Sequence, residues 1–382
     1  MGLFFSITIY CSVFALSSIF FPTSRSKNKY WLWGLLSSLF IPSLIAGIRA
    51  LSVGKDINTY AVYVFSFFGL SDVSIRSIFT SASPLFALLA MISGRISSNI
   101  HLFLFFIEVF ALVPVYIVYF IWPNKNGKYS ILLFLLLFYN YSLNIMRQSI
   151  SAGFAFAAFY LFDRKKYVSS IVFAVIAYGF HNTAIIYFLI IICFIAFDKF
   201  IAFKKKAIIN VLYIVVVEVL LFSFLVIITD LLMKLGILNE VLYNRYYSIL
   251  VGRNIPFSRL MIFELAFRSI LIIYIVVCLV LSNNQTYDKE NNMIAYLSLF
   301  GLITYCMAVL FLRTSVAYRF TQNFDYCIPL YIAGKSDCIK IIIGRDQSKI
   351  LIAILFFLHW ILAYILIPSG MGFGTEYYRF GI

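Results

Sequence analysis

A chain of 382 residues in which 63% are hydrophobic, 19% aromatic and only 12% charged cannot keep a globular surface wet. A formal charge of +15 would suit a nucleic-acid partner in a soluble protein, but here most of the chain must lie in lipid. The class this predicts is an all-α, polytopic integral membrane protein.

A bilayer core of about 30 Å needs roughly 20 apolar residues per helix. Apolar runs of helical length are predicted at 3–21, 30–47, 99–121, 129–146, 148–162, 167–180, 183–197, 207–228, 261–281, 292–312, 320–334 and 350–367, about twelve crossings. The first run lacks a basic segment ahead of it and is followed instead by Arg25, Lys27 and Lys29, so it reads as an anchor and not as a cleaved leader. One transmembrane domain over 1–382 is expected, with outer-face loops at 48–98 and 229–260.

The second run ends in Gly47-Ile48-Arg49 and Gly54-Lys55-Asp56, followed by Asn58, Thr59 and Tyr60. Glycines let backbone approach a ligand closely, and Asp56 is placed to orient Arg49 or to act as a general base. An ordinary helix exit with a capping Asp is the plain alternative. The stretch 78–93 is apolar but broken by Pro84. If it crossed, the later lysine-rich turns would change sides, so it is assigned to an interfacial or half-inserted helix on the outer side.

Further along, Asn144-Ile145-Met146-Arg147-Gln148 separates two apolar runs, and His181-Asn182 separates two more. Basic turns bound each pair, which puts Arg147 and His181 at the tips of consecutive hairpins on the same side. The arms around His181 barely reach bilayer length, so a re-entrant break lining a cavity is expected there. A charge inside the membrane costs roughly 2.5–3.5 kcal/mol on insertion scales, which makes Arg147 a functional candidate. For His181, a neutral histidine hydrogen-bonded between helices is the structural alternative.

The segment between 228 and 261, with Asp230, Glu240, Tyr243, Arg245 and Arg253, is long enough for a lid. Among residues inside the runs, Glu264 and Arg268 are four apart and should pair, while Glu218 would suit a proton relay in a transporter. Near the end of the chain, Arg313 and Arg319 bracket Thr314, Ser315, Ala317 and Tyr318. Arginine beside tyrosine suits an anionic group joined to a sugar, although both are also routine membrane anchors. Glu376-Tyr377-Tyr378-Arg379 is expected to hang free on that same side.

Lysine and arginine sort between the turns. Those that include Arg25, Lys128, Lys165, Lys204 and Lys335 hold seventeen basic residues, fourteen of them Lys, and so face the cytoplasm. Of the remaining thirteen, eleven are Arg, whose planar fork binds phosphate and carboxylate bidentately. The six cysteines show no CxxC or His/Cys spacing for a metal, so neither zinc nor disulfides are expected.

Taken together, Ala46-Gly47-Ile48-Arg49 through Gly54-Lys55-Asp56 to Tyr60, then Met146-Arg147-Gln148, then Phe180-His181-Asn182-Thr183-Ala184, then Tyr318-Arg319-Phe320 ahead of Pro329, resemble the EpsG-like branch of Wzy-type polysaccharide polymerases. Lys55 stands where that pattern has a small polar residue. The resemblance implies a helical bundle like those of lipid-dependent (GT-C-like) glycosyltransferases. Its implied activity joins undecaprenyl-pyrophosphate-linked oligosaccharide repeats into O-antigen, capsule or exopolysaccharide on the outer face of the cytoplasmic membrane. It implies no cofactor or metal. The partners would be the lipid-linked oligosaccharide, membrane lipid and a chain-length regulator, with no nucleic acid. On this reading Arg147, Arg319 and Arg49 bind pyrophosphate or another anionic group, helped by Gln148 and Tyr318, and His181 or Asp56 takes the proton of the attacking hydroxyl. Two alternatives need a polar cavity as well: a lipid-oligosaccharide flippase or other transporter, and a membrane O-acyltransferase.

Overall fold

The computed structural model describes residues 2–23, 30–122, 126–185, 258–282, 289–312, 317–336, 345–366 and 373–381, together with some positions between 191 and 219. The proposed lid segment up to residue 257, the basic turns at 24–29 and 196–208, Arg313, Thr314, Ser315 and most of the two spans between 183 and 228 lie outside them. Among the described residues every regular element is helical, apart from one antiparallel bridge between Arg49 and Phe380.

The chain forms two units, Met1–Ile192 with Ile332–Ile382, and Cys193–Tyr331. In the first, α1 (Leu3–Phe20) and α2 (Tyr30–Gly47) precede two π-helical turns (Ile57–Val62 and Phe65–Gly69), α3 (Ile75–Phe79) and α4 (Pro84–Ile96). Then come α5 (Ile100–Ile121), α6 (Gly127–Asn144), α7 (Met146–Asp163) and α8 (Tyr167–Phe180), which runs into a 3-10 turn at Asn182–Ile185. The second unit contains α9 (Arg259–Ser282), α10 (Lys289–Leu312) and α11 (Ala317–Asp325), followed by α12 (Cys327–Gly334). The first unit resumes within α12, and α13 (Arg345–Trp360) continues into a π-helical turn at Ile361–Leu366.

Among the described residues six helices are long and apolar enough to cross a membrane: α1, α2, α5, α9, most of α10, and Gln347–Leu366. Helices α6 and α7 also reach 18 residues each but carry polar groups at Asn140, Ser142, Asn144, Gln148, Ser149 and Ser151. Burial explains how these are tolerated. From Leu133 to Asn144 every residue of α6 is buried, so its polar side chains meet protein and not lipid.

Several of the buried polar groups of this bundle are bonded between helices. Trp360 Nε1 donates to Asn140 Oδ1 at 2.8 Å, Tyr139 OH donates to the Pro42 carbonyl at 2.8 Å, and Tyr364 OH donates to the Leu137 carbonyl at 2.7 Å. Around them Tyr10, Phe14, Tyr139 and Trp360 meet mostly edge to face, with centroids 5.4–6.3 Å apart. Helix α7 lies close against α5 because Gly153 has no side chain. A Cβ there would meet the Ala111 carbonyl oxygen at 2.8 Å and Pro114 Cγ at 3.0 Å.

The first unit has two chemically distinct ends. At one, Trp122 and Tyr160 meet at a tilt with centroids 5.2 Å apart, Arg164 lies 5.8 Å over Trp122, and Tyr129 OH donates to the Lys349 carbonyl at 2.7 Å. Lys165 and Lys166 lie in the turn at this end, and Lys128 and Lys349 lie in the first turns of α6 and α13. At the other end the loop after α2, the start of α5, the α6–α7 break and the end of α8 come together with residues 373–381. Helix α4 begins there, at Ser83, and ends three residues before α5 starts from Asn99 at the same end. At 13 residues it is one of the shorter apolar helices.

The C-terminal residues do not hang free as expected. They lie antiparallel to 48–55: Ala50 N donates to the Arg379 carbonyl at 2.7 Å, Gly381 N to Ile48 at 2.8 Å, Gly54 N to Gly374 at 2.9 Å and Lys55 N to Phe373 at 2.8 Å. Side chains hold the same strap. Tyr10 OH donates to the Thr375 carbonyl at 2.7 Å, and Tyr378 OH donates to the Ile45 carbonyl at 2.7 Å. The loop after α2 has no regular partner for its backbone amides, and the strap supplies acceptors for them.

Candidate functional site

The α6–α7 connection is a single residue. Ile145, at φ −95° and ψ 56°, interrupts the helix and puts Asn144 at the end of α6 and Arg147 in the first turn of α7. Both then reach the loop and turns before α4. Asn144 Oδ1 accepts from Asp56 N at 2.9 Å, which fixes the carboxylate's backbone. Gly54, at φ +112°, makes that approach possible in a conformation other residues rarely adopt, and a Cβ on it would sit 3.1 Å from the Leu143 carbonyl.

Arg147 is clamped by groups from two other elements. Its Nη1 donates to Ser83 Oγ at 3.0 Å, and its guanidinium lies 4.2 Å over the Tyr60 ring. The Asp56 carboxylate is within electrostatic range of it. An arginine, a carboxylate, a tyrosine and a serine from three stretches of the chain, at 56–60, 83 and 147, thus converge.

His181 is at the same end. Helix α8 stops at Phe180, and His181 is extended at φ −159° and ψ 136° before the 3-10 turn begins. Its carbonyl accepts from Ser151 Oγ at 3.3 Å, and Ser151 is one helical turn past Arg147 on α7. On the ring, Nδ1 accepts from Thr183 N at 3.2 Å and lies 2.8 Å from Thr183 Oγ1. The helix therefore breaks at His181, and most of the arm expected beyond it lies outside the described residues. Gln148, beside Arg147, is buried.

Arg49 departs from expectation. It is 1% exposed, its Nη2 contacts Met146 Sδ at 3.5 Å, and Nε and Nη1 have no hydrogen-bond partner. Burial pulls its guanidinium below the usual arginine range, and the Glu108 carboxylate, then Tyr139, Tyr10 and Tyr378, oppose that pull. Asp56 therefore does not orient Arg49. The carboxylate in its field belongs to Glu108 on α5, whose Oε1 accepts from Ser142 Oγ at 2.7 Å, while Asp56 serves Arg147. With the strap passing over it through the Phe380 bridge, Arg49 lies beneath the polar end and does not line its surface.

Tyr318 and Arg319 fall in the first turn of α11 in the second unit. The far end of that helix is anchored by charge. Arg268 Nη1 pairs with Asp325 Oδ2 at 3.0 Å, Arg268 Nε is 3.4 Å from Glu264 Oε2, and the guanidinium covers the Tyr305 ring at 3.9 Å. The i, i+4 pairing of Glu264 with Arg268 is as the spacing predicts. Asp325 is an addition, as is Ser83 beside Arg147. Ser83 carried one usable sign, since serine directly before a proline at a helix start is a favoured cap position.

Among the described residues no His, Cys, Asp and Glu cluster could hold a metal ion. The fold and site define an all-α, multi-pass membrane protein that concentrates arginine, carboxylate and imidazole groups at one end of its larger unit. The model of the EpsG family matches residues 31–378, and the chain belongs to that family, the EpsG-like group of Wzy-type polysaccharide polymerases. Its general role is in polymerising lipid-linked oligosaccharide repeats. No curated protein and no solved structure matches it.

Proposed function

We propose that the Arg147 end of the larger unit is the active site of a polymerase that transfers a growing glycan from undecaprenyl pyrophosphate to the next lipid-linked repeat, outside the cytoplasm. The observation that carries this reading is the clamp on Arg147, held by Ser83 Oγ at 3.0 Å and the Tyr60 ring at 4.2 Å beside Asp56. A guanidinium fixed in advance stabilises charge that develops on a leaving group without reorganising during the step. Lys128, Lys165, Lys166 and Lys349 at the opposite end support the orientation, because lysine-rich short turns stay cytoplasmic.

In the proposed step an acceptor hydroxyl oxygen forms a bond to the donor's anomeric carbon as the bond from that carbon to the phosphate oxygen breaks. The electron pair leaves on the lipid pyrophosphate, held by Arg147. Asp56 takes the hydroxyl proton. Gln148 supports the same end, and Arg49 acts from beneath it through its positive field. Tyr318 and Arg319 form a separate anion-binding group within the second unit. On this reading the whole bundle crosses about twelve times, as in lipid-dependent glycosyltransferases, and a chain-length regulator sets the product's size.

The test is Arg147→Lys in cells that make the polymer. Lysine keeps the charge but loses the planar fork, and polymer length and amount should fall at least tenfold, equivalent to about 1.4 kcal/mol of transition-state binding. Full-length polymer from Arg147→Lys would end the proposal. Loss of the whole protein should leave single-repeat glycolipid on the surface. Absence of that glycolipid would indicate a flippase, and full chains lacking only acyl groups would indicate an acyltransferase.

A further inference from the structure

We infer that Arg49 is a positioning residue: with Glu108 it forms a buried charge couple that grips both sides of the α6–α7 break and so aims Arg147, without touching the substrate. This rests on the reading above that Arg147 holds the leaving pyrophosphate, and it replaces the anion-binding role that the sequence suggests for Arg49.

The end of α2 is packed on the start of α5. His101 Nδ1 lies 2.7 Å from the Gly47 carbonyl, and a Cβ on Gly47 would meet Phe105 Cβ at 2.9 Å. Residues 101, 105 and 108 share one face of a helix. Glu108 is therefore the next group along the face that meets Gly47, and Arg49 lies just beyond that glycine. Tyr10 of α1, Glu108 of α5, Tyr139 of α6 and Tyr378 of the strap all act on Arg49, and the Glu108 carboxylate acts most strongly.

Each member of the couple holds one side of the break at Ile145. On the α6 side, Glu108 Oε1 accepts from Ser142 Oγ at 2.7 Å. On the α7 side, Arg49 Nη2 contacts Sδ of Met146 at 3.5 Å, and Met146 is the first residue of α7 and the neighbour of Arg147. Attraction between the two charges, weakly screened in the interior, thus draws Ser142 and Met146 together across the break. Ser83 and Tyr60 then meet an Arg147 whose backbone is already placed. Arg49 is itself closed off. It is 1% exposed, the strap crosses it at the Phe380 bridge, and a Cβ on Gly381 would lie 2.7 Å from its carbonyl. Its Nε and Nη1 have no hydrogen-bond partner, so it works by charge and not by the bidentate fork.

The experiment compares full-length variants in cells that make the polymer, reading the yield of folded protein from the membrane and the polymer made per folded protein. Arg49→Lys should keep most of its polymer, because the couple needs a charge and no fork, whereas Arg147→Lys should not. Arg49→Met strands the Glu108 carboxylate, so folded yield should fall. Polymer per folded protein should also fall, about 10- to 100-fold, as Arg147 loses its aim. Adding Glu108→Gln removes the stranded charge while its amide oxygen still accepts from Ser142, and both yield and polymer should recover most of the loss.

Polymer lost in Arg49→Lys at normal folded yield, or full polymer from Arg49→Met, would overturn the inference. A double variant whose yield recovers while its polymer stays low would make Arg49 a ligand of the substrate. One that folds no better than Arg49→Met would dissolve the couple itself. The folded-yield measurement needs no activity, so the couple is tested separately from the reading of the site, which Arg147→Lys decides alone.

Discussion

Asn140 is the most exacting polar position of the larger unit, and replacing it with leucine measures how that unit is held together. The side chain is fully buried in α6 and does two jobs: its Oδ1 accepts from Trp360 Nε1 at 2.8 Å, and its Nδ2 donates to Thr375 Oγ1 at 3.2 Å. Leucine keeps the branching at Cγ and puts methyl groups where the amide oxygen and nitrogen were, so the polar loss dominates and the added bulk can only increase it. Stranding a buried donor or acceptor costs about 1–3 kcal/mol on the soluble scale, which for two groups gives about 2–6 kcal/mol. Interhelical hydrogen bonds in membranes average about 0.6 kcal/mol and reach about 1.7, because the unfolded chain in lipid finds other partners, which gives about 1–3.5 kcal/mol for two. The membrane scale should govern the Trp360 contact, which joins two apolar helices. The soluble scale should govern Thr375, whose strap has no helix of its own to fall back on. A loss of about 2–4 kcal/mol in denaturant-induced unfolding in bicelles is therefore expected. The cycle with Trp360→Phe isolates the first term. Once the indole N–H is gone, Asn140→Leu should cost about 0.6–1.7 kcal/mol less than in the wild type. Additivity within about 0.3 kcal/mol would show that the bond contributes nothing and that aromatic packing alone carries the contact.

Three further outcomes follow from the same geometry. Gly153→Ala forces a Cβ to within 2.8 Å of the Ala111 carbonyl, so α7 must shift from α5, and unfolding should become easier by about 1–3 kcal/mol in the same assay. Tyr60→Leu removes the ring 4.2 Å from the Arg147 guanidinium, an interaction worth about 0.5–2 kcal/mol, and polymer formation should drop roughly 2- to 30-fold while Tyr60→Phe keeps most of it. Arg268→Met leaves Glu264 and Asp325 facing each other with no cation between them, and the yield of folded protein should collapse by the equivalent of about 3–5 kcal/mol. Restoration of that yield by the added change Asp325→Asn would confirm charge as the cause, and a yield unchanged in Arg268→Met itself would refute it.

What the sequence revealed and what it hid divide along a physical line. Lipid demands long apolar runs, so α1, α2, α5 and α9 announce themselves by composition. The polar interruptions at Arg147 and His181 were legible for the same reason, since each is costly inside a membrane and must have a local cause. Glu264 and Arg268 could be paired because four residues is one helical turn. Partners distant in sequence left no such trace. Asp56 is near Arg49 along the chain, yet α7 brings Arg147 to it and α5 brings Glu108 to Arg49. Asp325 reaches Arg268 from another helix, and nothing in its spacing says so.

The strap shows why the hidden part matters for the site. Backbone pairing between 373–381 and 48–55 uses amides and carbonyls that every residue carries, so no pattern of side chains marks it. Its effect is nonetheless specific. Gly54 N and Lys55 N are held by the Gly374 and Phe373 carbonyls on one side, and the next amide, Asp56 N, is held by Asn144 Oδ1. Three successive amides are therefore fixed by acceptors from two elements, and the loop that carries Asp56 has little freedom left. On the role proposed for Asp56 this matters, because orientation set during folding does not have to be found again in each catalytic cycle. The C-terminal residues thus help to fix the loop at the polar end.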